Sequence, residues 1–166
     1  MREILFRGKA IVNDEWEEGY YYKTFETSYD KKKISVPVHH YIVFTKIMEW
    51  GLLNQMYQIE IDPQTLCQFT GLVDKRGKRI WENDILMCHG NPDDLVKVVF
   101  GEFGVRNAET GTVVDKIIGW HYEVISTDTI SRTEPFCYSM PLTKEYIELC
   151  EMEVVDKPEL LQEVPE

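Results

Sequence analysis

The chain has 166 residues and a mass of 19.6 kDa, with 43% hydrophobic and 28% charged side chains. That balance belongs to a globular protein able to bury a core without disulfides or metal, and it excludes a disordered chain. The formal net charge of -11 repels phosphate backbones, so nucleic-acid binding is excluded except through a local basic patch.

The acid is unevenly spread. Residues 1–50 hold 8 basic and 8 acidic side chains, 51–100 hold 5 and 7, and 101–166 hold 5 and 14. The C-terminal surplus reads as a solubilising surface. The length predicts one domain over 1–166, with 23–55 as its variable part and 157–166 as a tail. No apolar run approaches the ~18 residues of a membrane span, and Met1-Arg2-Glu3 opens no signal-peptide segment. The expected setting is the cytoplasm, with Cys67, Cys88, Cys137 and Cys150 as reduced thiols.

Short runs of Val, Ile, Tyr, Phe and Thr, broken by Gly, Asn and Asp, predict a β-rich chain. Ile4-Leu5-Phe6 opens a first strand and Ile11-Val12 a second. Asn13-Asp14 turns the chain into a strand over Trp16 to Thr24. Residues 26–33 are expected to form a mobile loop. Ile34 to Thr45 returns to strand composition, and Pro37, which has no N–H for a ladder, places it at a sheet edge or delays its start. Gln55 to Ile61 alternates so that Tyr57, Ile59 and Ile61 share a face. Asp62-Pro63 reads as a cap followed by proline at the first helical position.

Asp74-Lys75-Arg76-Gly77 has the composition of a tight hairpin, with Gly77 supplying positive φ, and Trp81-Glu82-Asn83-Asp84 bends the chain into Ile85-Leu86-Met87. Val96 to Phe100 is a strand, reversed at Gly101-Glu102-Phe103-Gly104. Asn107 to Gly111 reverses the chain again before Thr112 to Ile118, and Tyr122 to Ser126 is a further strand. Residues 127–135 are turn-rich. Thr143 caps a helical turn over Lys144, Glu145 and Tyr146, Cys150 to Val155 alternates like a strand, and Pro158 starts a short helix over Glu159-Leu160-Leu161. The architectural turn positions are therefore Gly71, Asp74, Gly77, Asn83, Asp84, Gly101 and Gly104.

The Met1-Arg2-Glu3-Ile4 opening with Phe6-Arg7-Gly8, and the run Gln68-Phe69-Thr70-Gly71-Leu72-Val73-Asp74-Lys75-Arg76-Gly77-Lys78-Arg79-Ile80, resemble the YopX family of phage and prophage proteins. Val99 to Gly104, Pro141 to Tyr146 and Pro158 to Leu161 extend the likeness. Two departures stand out: Asn83 occupies a position where the family commonly has glycine, and Glu151 to Lys157 is shorter and lacks a Gly-Asn pair. The resemblance implies a mostly β, barrel-like or sandwich architecture, a phage or prophage origin and a bacterial cytoplasmic setting. It carries no activity onto any residue.

Candidate chemistry is sparse. Lys75, Arg76, Lys78 and Arg79, with Trp81 nearby, form the one candidate nucleic-acid contact, and a solvated hairpin tip accounts for them equally. His39-His40 and Cys88-His89 are adjacent pairs that point to opposite faces of a strand, so no metal is expected. Glu82 with Asp84 and His121 with Glu123 are the best acid–base pairs, but a turn role for Asp84 and a cross-face ion pair for His121 suffice. Gly-x-Ser-x-Gly, Walker and dinucleotide loops are missing from the sequence. Trp16, Trp50, Trp81 and Trp120 with Tyr20, Tyr21 and Tyr22 suit a core or an interface better than base stacking. The expectation is a non-enzymatic protein without cofactor that self-associates or binds a protein through sheet edges and exposed aromatics.

Overall fold

The computed structural model describes residues 3–26, 37–46, 55–107, 110–126 and 138–156. The chain is mainly β, and it divides into two compact units, 1–69 and 70–166. All but Glu26 of the expected loop over 26–33, the turns over 127–135, the helix at Pro158, the tail, Trp50 and Cys137 lie outside the described residues.

The first unit contains β1 (Phe6–Lys9), β2 (Trp16–Phe25), β3 (Val38–Lys46), β4 (Gln55–Glu60), a 3-10 turn (Pro63–Thr65) and the start of β5 (Cys67–Val73). The strands lie in the order β4-β3-β2-β1-β5, each pair antiparallel. Ile11 and Val12 do not start a strand. They sit in a turn, 63% and 79% exposed, because Asp14 takes φ 58° and returns its N–H to the Ala10 carbonyl at 2.9 Å. Of the two readings of Pro37, the delayed strand start holds and the sheet edge does not. Pro37 falls one residue before β3, where its carbonyl still accepts from Glu26, and β3 is flanked by β2 and β4. The lost N–H therefore costs no ladder bond. Asp62 caps the 3-10 turn by accepting from the Gln64 N–H at 2.9 Å. At Gly19 a Cβ would lie 2.2 Å from the Val43 carbonyl oxygen, so only glycine permits this approach of β2 to β3.

The second unit continues β5 and adds β6 (Arg79–Trp81), β7 (Ile85–Met87), β8 (Leu95–Arg106), β9 (Val113–Ser126), β10 (Met140–Pro141), α1 (Lys144–Leu149) and β11 (Glu153–Val154). Its sheet runs β10-β9-β8-β7-β11, with open ends rather than barrel closure. Gly77 at φ 83° and Asn83 at φ 65° make the two expected turns. Three turn assignments are corrected. Gly101 and Gly104 lie inside β8, where Gly101 stands opposite Gly119 and Gly104 opposite Lys116. Gly104 serves close approach instead: a Cβ there would meet the Val113 methyls at 3.0 Å. Gly71 lies in β5, although its φ of 86° keeps it a glycine position. The segments 112–118 and 122–126 likewise merge into one strand, β9. Ile80, Leu86, Val98, Tyr122, Ile147 and Met152 form the centre of the core, which α1 covers after Thr143 caps it through the Tyr146 N–H.

Candidate functional site

The basic hairpin tip is built around a buried carboxylate. Asp74 Oδ1 accepts the N–H groups of Arg76 and Lys78, both at 2.8 Å, and its Oδ2 accepts that of Val154 at 3.0 Å. This brings β11 against the turn, and its acids meet the turn's cations. Lys75 Nζ lies 2.6 Å from Glu153 and 3.2 Å from Glu151, Arg76 also pairs with Glu153, and Lys78 pairs with Asp156. The Glu153 and Glu151 carboxylates hold the Lys75 ammonium above its ordinary pKa, and Lys78 holds the Asp156 carboxyl below its own. Trp81 is 2% exposed, its ring in the interior instead of on a stacking surface. The cluster is therefore a set of ion pairs fastening β11, with Lys75, Arg76 and Lys78 already bound to carboxylates.

The acid–base candidates take structural parts. Asp84 is buried and accepts the Trp81 N–H at 2.9 Å, the expected turn role. His121 is buried with its ring stacked on Phe103 at 4.6 Å, Nδ1 3.2 Å from the Gly119 carbonyl and Nε2 3.9 Å from Glu123. His39 and His40 diverge as a strand requires: His39 lies 2.6 Å from Glu60 and 3.4 Å from Glu26, while His40 meets the Tyr21 hydroxyl at 2.8 Å. The His39 pKa is raised, chiefly by its bond to Glu60. Among the described residues no three His, Cys, Asp or Glu side chains converge as metal ligands do. Burial pushes the Cys88 thiol up to about 12, with Cys150 nearby, so it is held as the neutral thiol.

The aromatic residues divide by face. Trp16, Tyr20 and Tyr22 lie on the solvent side of β2, at 47%, 61% and 37% exposure. Arg7 covers the Trp16 ring at 4.7 Å, and Tyr22 stacks on Tyr41 at 5.2 Å, so two of these rings already spend a face on a neighbour. Tyr21 turns to the other side, against Phe6 and His40.

Among the described residues, one exposed apolar surface is missed by sequence reasoning, which broke the β8–β9 hairpin at its glycines. Phe100 pairs with Trp120, Glu102 with Ile118 and Gly104 with Lys116, so these six share one face. Phe100 is 55% and Ile118 72% exposed, and the Phe100 and Trp120 rings meet edge to face at 5.0 Å. Glu102 and Lys116 form an ion pair at 2.8 Å on the same face. Among the described residues, ladder partners beyond the hairpin reach only its base: β7 stops at Lys97, and β10 pairs with His121 and Tyr122. The legible signal is the setting of Gly119, which Ile117-Ile118 and Trp120-His121-Tyr122 flank with strand-forming residues and no Asn, Asp or Pro beside it.

A model of the protein family described as YopX protein matches residues 5–135. No protein with a curated description matches the chain.

Proposed function

The chain belongs to the YopX family, and on that premise we propose that it is a non-catalytic accessory protein of phage or prophage origin, acting in the host cytoplasm by docking protein. The observation that carries this reading is the β8–β9 face around Phe100 and Ile118, which continues the side that bears Val98 and Tyr122 and where both side chains stay in water although each is large enough to repay burial. Aromatic side chains beside aliphatic ones, with a polar pair at the margin, are the composition of a protein interface centre. The nucleic-acid alternative at Lys75, Arg76, Lys78, Arg79 and Trp81 has weaker support. Three of those cations already face carboxylates and the tryptophan is buried.

The test is a photo-crosslinking amino acid at position 118, in cells that produce the protein, with position 93 as the exposed control. The reading expects protein adducts from 118 and none from 93. Position 118 giving no protein adduct would sink it.

A further inference from the structure

We infer that the occupant of the β8–β9 face around Phe100 and Ile118 is a second copy of the chain, packed face to face about a two-fold axis. The inference rests on the protein-docking reading above. Two features turn the contact away from the β9 edge. The register shifts between Val105 and Arg106, so Val114 is an extra, bulged residue, and the Lys116 N–H is taken by Asp115 Oδ1 at 2.7 Å. A bulged edge whose amide is already bound resists strand addition.

The face, by contrast, complements itself. A chain of net charge -11 repels its own copy over most of its surface, whereas the paired positions 100–104 and 116–120 of this face carry one cation and one carboxylate between them, with the Arg106 cation at their margin. An isologous contact requires each surface to match itself after a half-turn. Here the half-turn sets each Lys116 beside the other copy's Glu102, while Phe100 and Ile118 of the two copies cover one another. The Glu102–Lys116 pair within one copy becomes two pairs between copies, and apolar surface leaves water.

Charge-swapped variants read this directly by light scattering after size exclusion. Glu102→Lys alone and Lys116→Glu alone each give a face with two like charges, and each is expected to run as a monomer where the wild type runs as a dimer. An equimolar mixture of the two single variants is expected to regain the dimer mass, as is the double variant E102K/K116E. Both side chains are exposed, so thermal unfolding of the variants checks that the fold is kept. A monomeric wild type at micromolar concentration, or single variants that still dimerise, overturns the inference. If the wild type is monomeric while position 118 still crosslinks to another protein, the second copy is wrong and the docking reading stands. If no adduct forms at 118, that reading fails on its own evidence.

Discussion

The carboxylate of Asp74, at the tip of the β5–β6 hairpin, accepts the main-chain N–H of Val154 at 3.0 Å across 80 residues of sequence. The same side chain holds the Arg76 and Lys78 amides of its own turn, so one buried group both closes the hairpin and anchors β11. Replacing it with alanine strands three donors next to the core. Hydrogen bonds to a charged group contribute about 1.5–3 kcal/mol each and unsatisfied buried donors add a desolvation cost. Asp74→Ala is expected to lose about 3 kcal/mol or more in urea unfolding. A loss below about 1 kcal/mol would contradict the anchoring role.

Gly19→Ala tests the close approach of β2 to β3. Its Cβ would sit 2.2 Å from a backbone oxygen that cannot rotate away. Overpacking of this kind costs about 1–3 kcal/mol, occasionally more, and here the obstruction is main chain, so the upper end is expected. The measurement is the shift in denaturation midpoint against wild type, with Gly77→Ala, where nothing lies within 4 Å, as a control for positive φ alone.

Asn83 stands at φ 65° with its N–H donated to the Val98 carbonyl at 2.8 Å. Asn83→Gly, which adopts positive φ without a Cβ penalty, should keep stability within about 0.5 kcal/mol. Asn83→Val should lose about 1–2 kcal/mol because a β-branched residue is strained in the left-handed region. Equal stability of both variants would show that the backbone there relaxes.

His39 joins β3 to Glu60 at the end of β4 and to Glu26 beyond the end of β2. Its bond to Glu60 raises its pKa above 6.5, against a smaller opposing contribution from desolvation. A group whose folded pKa is raised stabilises fully below its unfolded pKa, and that contribution disappears as pH rises through the folded value. The stability difference between wild type and His39→Gln should therefore be largest below pH 6.5 and shrink at higher pH. A difference that grows with pH reverses the assignment.

Cys88, with its thiol pushed up to about 12 by burial, should react slowly with maleimide near neutral pH and rapidly once unfolded. Peptide mapping that finds Cys88 fully labelled in the native protein would show that its burial is transient.

Much of this was written locally. The Asp74–Gly77 and Trp81–Asp84 turns, the Asp62–Pro63 cap and the Thr143 cap were legible because each needs only a few neighbouring residues of the right stereochemistry. The mainly β class followed from alternation of the same short range. The reading failed where a residue's meaning depends on a distant strand. Gly101 and Gly104 look like turn residues in sequence, yet in the fold they face Gly119 and Lys116 inside an unbroken hairpin. Lys75, Arg76 and Lys78 look like a phosphate patch until Glu151, Glu153 and Asp156 arrive from the other end of the unit. Backbone stereochemistry acts over three or four residues and can be read along the chain. Strand pairing and charge neutralisation join residues far apart, so only the folded chain decides which glycines turn it, which cations remain bare and which apolar face is left in water.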